Sequence, residues 1–378
     1  MPWSPRSIVE QRKKLVLALL EPGANHAEVC RAHGISRQCG YKWVKRYREQ
    51  GLSGLEEHSR RPHQSPLRVE GELVLQVLEL RGQYPKWGPK KLRQVLSRRG
   101  WDMPSVRTVA RILDRADVPK RRTGRHKHRA VVTEAPKVVA QAPNELWSAD
   151  FKGWWKTADE RRCEPLTVRD MYSRFVLAIR CMRSTAYRPT QAEFEQLFER
   201  CGLPRAIVVD NGTPFGNGQS RLGLTRLSAW WVSLGIEVRH TRPAHPQDNG
   251  AHERMHADMA LELQMYPEAD LQRQQLACEA WQHDFNHVRP HEALDMQVPD
   301  DLYRPSKRRY RAPRIVHYPD GMQTRKVSTR GRIHHEGHVY AVGRPFEGYT
   351  VGVEPLESHK VRVWFYEKDL GEFSCPAA

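Results

Sequence analysis

Apolar positions along this chain change period twice. They recur three or four residues apart up to about residue 117, alternate or cluster in short β-branched runs through the middle, and return as short strands near the end. Ile8, Leu15, Val16, Leu19 and Leu20 share one helix face, which Pro22-Gly23 ends. Asn25 can cap a second helix through Ala27, Val29, Cys30 and Ala32, and Ser36, after the turn His33-Gly34-Ile35, caps a third running to about Glu49. That spacing predicts a helix-turn-helix domain over 1–58, whose third helix exposes Arg37, Gln38, Tyr41, Lys42 and Lys45 to base edges and phosphates. An ordinary three-helix structural domain is the plainer alternative.

The stretch from Gly51 to Pro66, rich in Gly, Ser, Pro and charge, reads as a linker whose Arg60 and Arg61 can track a phosphate backbone. Helical periodicity resumes from Val69 to Gln83, Pro89 to Arg99 and Ser105 to Asp117, giving a second small helical domain over 66–122. Lys90, Arg107, Arg121 and Arg122 are its candidate DNA contacts, the last two in an exposed basic linker from Lys120 to Arg129. Strand-like runs at Leu146–Trp155, Glu164–Asp170 and Arg174–Met182 predict a meander. A helix at Gln191–Arg200, a buried strand at Ala206–Val209, a helix at Leu222–Leu234, a strand at Glu237–Thr241 and a long helix from Ala251 to Met265 follow. Periodicity alone supports a mixed α/β domain over 140–303. Short strands at Val339–Gly343, Thr350–Val353 and Lys360–Tyr366, with turns between them, predict a small β-barrel over 313–378.

Charge sharpens this picture. Residues 1–130 hold 29 Lys and Arg against 12 Asp and Glu, and residues 304–332 hold 10 against 1, whereas residues 131–303 hold 19 against 24. Two basic blocks around an acidic middle point to polyanion-binding regions flanking a metal-binding core, with nucleic acid as the polyanion. The seven cysteines are odd in number, scattered and without a Cys-x-x-Cys pair, so they read as reduced thiols. No apolar run approaches a membrane span and Met1–Arg6 lacks a signal-peptide core, so a cytoplasmic protein with no membrane partner is expected.

Candidate chemistry lies in the acidic middle. Asp150 and Asp210 each stand within or just after an apolar strand-like run, where the same end of one sheet could gather them. Glu253 follows Asn249-Gly250 near the start of a helix, with Asn249 as its N-cap. Taken singly, an Asp before Asn-Gly is a turn residue and a Glu in a first helical turn is a solvated charge. The three together carry more weight. Asn144 to Asp150, Asp210-Asn211-Gly212-Thr213-Pro214-Phe215 and His245 to Arg254 resemble, in order, the three catalytic blocks of the DDE transposases and retroviral-type integrases found in bacterial insertion sequences.

This resemblance covers nearly the whole chain, including Trp87 to Leu92 and Ser105 to Leu113, which resemble a second helix-turn-helix of such transposases. It implies a multidomain α/β protein: helix-turn-helix domains, a ribonuclease H-like catalytic core and a terminal β-barrel. Asp150, Asp210 and Glu253 are then the catalytic metal ligands, and His245 and Asn249 shape the loop beside them. Three carboxylates without thiolates or a compact His set suit Mg²⁺, two ions, with Mn²⁺ able to substitute. The implied activity is binding of terminal inverted repeats in double-stranded DNA, end cleavage, and strand transfer into target DNA by a homo-oligomer assembled on that DNA, associated with the bacterial nucleoid. A catalytically inactive DNA-binding regulator and a metal-dependent nuclease are the alternatives. Asp170 reads as structural, and the mixed spacing of His240, His245, His252 and His256 speaks against zinc. The Asp210 to Glu253 interval, 42 intervening residues, is longer than usual in the family, with Gly216 to Ser220 as the inserted loop.

Overall fold

The computed structural model of the chain describes residues 8–57, 69–117, 139–242, 249–357 and 359–374. They divide into two compact units, Met1–Val69 and Glu70–Ala378.

In the first unit, α1 (Ile8–Leu20), α2 (His26–Ala32) and α3 (Arg37–Gln50) pack around Leu15, Val16, Leu19, Cys30, Trp43, Val44 and Leu55. Both expected caps are made: Asn25 Oδ1 accepts from the Ala27 and Glu28 amides, and Ser36 Oγ accepts from Cys39 N at 3.2 Å. Gly40 lies inside α3, where glycine costs about 1 kcal/mol of helix propensity. A Cβ there would come within 2.7 Å of Cys30 Sγ, so the missing side chain is what lets α3 approach α2.

The second unit opens with α4 (Gly71–Gln83), α5 (Pro89–Arg98) and α6 (Val106–Arg115), whose apolar faces meet through Leu73, Val77, Leu80, Leu92, Val95, Leu96, Val109, Ile112 and Leu113. This bundle is fastened to the α/β core of the same unit. Arg98 grips Asp301 with two hydrogen bonds of 2.6 and 3.0 Å, Lys86 Nζ donates to Leu261 O at 2.7 Å, and Tyr84 Oη donates to Asp284 at 3.2 Å.

The core contains β1 (Leu146–Phe151), β2 (Trp155–Lys156), β3 (Arg162–Asp170), β4 (Val176–Met182), α7 (Tyr187–Cys201), β5 (Ala206–Val209), α8 (Arg226–Ser233), β6 (Glu237–His240), α9 (Gly250–Met259), α10 (Leu271–His283) and α11 (Pro299–Leu302). Its sheet runs β4-β3-β1-β5-β6, with β2 on the first residues of β3. β1 is antiparallel to β3 and parallel to β5, and β6 is parallel to β5. Alternation decides which side chains face which layer. Trp147 and Ala149 enter the cluster formed with Phe194, Phe198 and Trp231 of α7 and α8. The opposite face meets α9 and α10 through Val176, Ile179, Met255, Met259, Cys278 and Phe285.

The expected order of strands and helices is present, with local differences, the first being that the helix expected from Gln191 begins at Tyr187. The meander's first strand stops at Phe151, and a left-handed Gly153 separates it from β2. The helix expected from Leu222 begins at Arg226, because Leu222 adopts φ +55° and Thr225 and Ser228 form a capping box. The long helix expected from Ala251 to Met265 is α9 followed by a π-helical turn at Ala260–Gln264. Asn249 does not cap it: at φ −122° and ψ 20° it lacks the extended backbone of a capping residue, and its side chain accepts no cap hydrogen bond.

The C-terminal region corrects the β-barrel expectation. β7 (Gln323–Lys326), β10 (Thr350–Pro355), β11 (Lys360–Phe365) and β12 (Lys368–Ser374) form an open sheet in the order β12-β11-β10-β7, and β8 (Arg332–His335) pairs with β9 (His338–Ala341) in a separate two-stranded sheet. Val351, Val353, Val361, Val363 and Phe365 are covered instead by Ile333, Tyr340, Val342 and Phe346, and by Leu224, Ala229 and Val232 at α8. The apolar face is buried against the core, which removes the drive to close the sheet on itself.

Candidate active site

Strand register brings the first two carboxylates together. Ser148 of β1 lies opposite Val208 of the parallel β5, so Asp150 and Asp210, each two residues further on, emerge at the same level of neighbouring strands. Asp150 is three-tenths exposed, while Asp210 stands open beyond the last buried residue of β5. Its own backbone is fixed: Asp210 O accepts from His240 Nδ1 at 3.2 Å, and Asn211 Nδ2 donates to Thr241 O at 2.8 Å. Glu253 occupies the first turn of α9, on an exposed position.

The carboxyl of Asp150 registers the other two. Burial pushes it up from the ordinary aspartate range to about 7, and the negative charges of Asp210 and then Glu253 push in the same direction, against an amide hydrogen bond from Phe151 and the charge of Lys152. Like charges that disfavour one another in a partly desolvated place are the electrostatic condition a bound cation relieves, and an all-oxygen donor set suits a hard divalent ion. The donors thus fit such an ion chemically. Among the described residues, no group of three His, Cys, Asp or Glu side chains is drawn tightly enough to hold one as placed.

Beneath the carboxylates lies a polar layer that the sequence reading left out. His252, fully buried, has Nδ1 2.8 Å from Ser148 Oγ and Nε2 2.7 Å from Thr167 Oγ1. His256 Nε2 also meets Thr167 Oγ1, at 2.8 Å, and its Nδ1 stands 3.8 Å from Asp150 Oδ2. Burial pushes both imidazoles down, His256 to about 3, so both are neutral at physiological pH. Arg169 donates from the same face of β3 to Ala251 O in the first turn of α9. The available signal was alternation: Ser148 with Asp150, and Thr167 with Arg169, are polar pairs spaced by two beside the apolar Trp147, Ala149, Leu166 and Val168.

Asp170 has a different role. Its buried carboxylate accepts from Asn144 N at 2.7 Å, Ser173 N at 2.8 Å and Ser173 Oγ at 2.6 Å, which knits the β3–β4 turn to the entry of β1. His240 and His252 serve in separate hydrogen bonds, without a shared ion site. His245 lies outside the described residues, as do Arg60, Arg61, Arg121 and Arg122.

The remaining candidate DNA contacts are solvent-facing. Arg37, Gln38, Tyr41, Lys42 and Lys45 all line the exposed side of α3, with Lys45 only 3.9 Å from Glu49. Lys90 and Arg107 are exposed on α5 and α6, Lys90 lying 4.0 Å from Glu292. Between that bundle and the core opens a cavity of about 930 Å³ whose wall includes Lys90, Lys91, Arg169, Arg174, Arg254 and Arg289. Its acidic residues are fewer, Asp114, Asp258 and Glu292. Burial, and then the charge of Arg289, pushes Lys91 down to about 8, against the charges of Asp258, Glu292 and Glu262. Ala251, Arg254 and Met255 of α9 share this wall, so the cavity reaches the helix that carries Glu253.

Known families and proteins are similar to this chain in the same order of parts. A helix-turn-helix domain model matches residues 11–63 and a homeodomain-like domain model residues 39–113, while two integrase core domain models match 140–246 and 234–299. The insertion element IS407 uncharacterized 31.7 kDa protein of Burkholderia multivorans is 24% identical over 232 residues, 61% of this chain and 80% of that protein. Among solved structures, the HTLV-2 integrase catalytic core domain in complex with magnesium aligns with 44% of this chain and 99% of its own, at 18% identity and a TM-score of 0.35. The simian T-cell lymphotropic virus intasome in complex with PP2A regulatory subunit B56 gamma covers 80% and 100%, at 15% identity and a TM-score of 0.38. Helix-turn-helix matches thus stand ahead of two integrase core matches on a core of ribonuclease H-like topology, an arrangement that supports a transposase or integrase of the insertion-element kind.

Proposed function

We propose that this protein is a transposase that binds the terminal inverted repeats of its element, cleaves the DNA ends and transfers them into target DNA. The observation that carries the reading is placement: the register of β1 and β5 sets Asp150 and Asp210 at the same level of neighbouring parallel strands, with Glu253 in the first turn of α9, and the charges of Asp210 and Glu253 add to burial in pushing the Asp150 carboxyl up. Asp150, Asp210 and Glu253 are the residues that would hold two divalent ions, Mg²⁺ or Mn²⁺. Bound there, such ions supply the charge that activates a water or a DNA 3′-hydroxyl and offsets the leaving oxygen of a phosphodiester.

The chain's own contribution is placement. β1 and β5 hold Asp150 and Asp210 at fixed register, α9 presents Glu253, and burial beneath Asp150 keeps water away from one side of the carboxyl. The basic cavity supports a path for phosphates close to α9, since cations lining a partly enclosed space attract polyanions at long range. Arg37, Gln38, Tyr41, Lys42 and Lys45 on α3 serve end recognition, with Lys90 and Arg107 as further phosphate contacts. Arg60, Arg61, Arg121 and Arg122 belong to the same reading through their charge in the sequence. Domain limits of 1–58, 66–122, 140–303 and 313–378 assign recognition to the first two parts and chemistry to the third. Because two ends must be joined and each chain offers one set of carboxylates, the working form is a homo-oligomer assembled on DNA.

The test is joining of pre-cut terminal duplexes to plasmid DNA in Mg²⁺ or Mn²⁺. Wild type forms joined products, and Glu253→Gln binds the ends without joining them. End binding by wild type with neither cleavage nor joining in either metal would instead establish a DNA-binding regulator, and cleavage without joining a nuclease.

A further inference from the structure

Thr167 lies fully buried at the middle of β3, and its hydroxyl oxygen has three polar neighbours. They are Asp150 O at 2.9 Å, His252 Nε2 at 2.7 Å and His256 Nε2 at 2.8 Å. A threonine hydroxyl has one proton to give and two lone pairs to offer. The carbonyl of Asp150 can only accept, so the proton goes there. Both imidazoles must then donate to Thr167 from Nε2. Each is thereby fixed in the Nε2–H tautomer, with a lone pair at Nδ1. For His252 that lone pair takes the hydroxyl proton of Ser148, 2.8 Å away. For His256 it lies toward Asp150 Oδ2, at 3.8 Å.

The consequence is geometric. His252 and His256 flank Glu253 on α9, one residue before and three after, so both share its helical turn. A single hydroxyl on β3 therefore ties the backbone of Asp150 on one side to the turn bearing Glu253 on the other. We propose that Thr167 is a positioning residue for the proposed two-metal reaction: it sets the separation of Asp150 and Glu253 and orients both histidines, with Ser148 as the outer anchor. This rests on the carboxylate reading given above and deepens it.

The experiment compares Mn²⁺ binding to the full-length protein, read from the spin-resonance signal of free Mn²⁺, with joining rate and DNA affinity. Thr167→Val keeps the side chain's shape and loses its hydroxyl. It is expected to weaken Mn²⁺ binding by about 10- to 100-fold, the usual effect of losing a partner that orients a ligand. The joining rate at saturating DNA falls with it, and the DNA dissociation constant stays put. Thr167→Ser, which keeps the hydroxyl, restores both. A packing role alone would lower the melting temperature of Thr167→Val and leave Mn²⁺ affinity at low temperature unchanged, and that result overturns the inference. If Thr167→Val does not fold, Ser148→Ala, which removes only the outer anchor, must show a smaller fall in Mn²⁺ affinity, and wild-type affinity there overturns it equally. Equal Mn²⁺ binding by wild type and Glu253→Gln overturns the carboxylate reading and this inference with it. Loss in Glu253→Gln without loss in Thr167→Val overturns this inference alone.

Discussion

The exposed side of α3 and the junction of β1, β5 and α9 both gather charge, by opposite means. On α3 long cationic and polar side chains stand in water, where the backbone needs only to be helical and charge costs nothing to expose. At the junction the charges of Asp210 and Glu253 act on a partly buried Asp150 that lies over a buried layer of Thr167, His252 and Ser148, and Asp150 is pushed up to about 7. Recognition by a solvated face tolerates change in any one residue. Chemistry by crowded, partly desolvated charges depends on each of them and on what lies beneath.

Charge removal at the junction is the sharpest test of that contrast. Asp150→Asn, Asp210→Asn and Glu253→Gln keep shape and should each lower cleavage and joining by orders of magnitude, with DNA affinity unchanged in gel-shift titrations. Losing end binding together with activity in these variants would erase the distinction between the two regions.

A second test uses pH. Asp150's raised carboxyl holds a proton in the folded protein, between the ordinary aspartate value and about 7, that the unfolded chain has released. Its contribution to stability is therefore largest at low pH and declines as pH rises to about 7. The buried His256 and His252 act with the opposite sign, neutral in the fold and costing stability as pH falls below the ordinary histidine value. Because the ion needs the ionised carboxylate, Mn²⁺ affinity should climb about tenfold per pH unit below 7 and level off above it. Asp210→Asn removes one repulsion, so its plateau should begin at lower pH, while burial and the remaining Glu253 charge keep the midpoint above that of a free aspartate. Lys152 and His256 are the other titratable neighbours, and Lys152→Met should move the midpoint upward. A pH-independent Mn²⁺ affinity between 5 and 8 would discard this account.

Asp170 separates a structural acid from the proposed metal ligands within the same sheet. Replacing it by Ala leaves the Asn144 and Ser173 donors buried without an acceptor, at about 1–3 kcal/mol for such a loss. Chemical denaturation should report that loss, and Mn²⁺ affinity of the folded fraction should equal wild type. The smallest effects belong to α3. Gln38→Ala or Tyr41→Ala should cost roughly 1–3 kcal/mol of preference for the cognate end if each touches a base. Lys42→Ala should weaken all sequences alike and flatten the log–log salt slope by about 1. Equal binding of terminal and random DNA by wild type would remove the recognition side of the comparison.

Much of this architecture was legible in the order of residues. Helix periodicity with Asn25 and Ser36 as caps fixed the first unit, because a cap and an apolar stripe are local properties. The apolar run Ala206–Val209 fell on β5 to the residue, since a fully buried strand must be apolar throughout. Asp150, Asp210 and Glu253 stand as candidates through three blocks resembling a known family, and spacing alone would have left each a turn or a solvated charge. What the sequence hid depends on partners distant in the chain. Ser148, Thr167 and His252 are ordinary residues until β1, β3 and α9 bring them within hydrogen-bonding reach across 104 positions for Ser148 and 85 for Thr167. The Asn249 cap failed because that residue takes a backbone conformation, φ −122° and ψ 20°, that no local rule predicts. The terminal barrel gave way to an open sheet because α8, from another region, covers the apolar face that closure would otherwise have buried. Local pattern determined which elements form, and burial between elements decided which polar groups had to find one another.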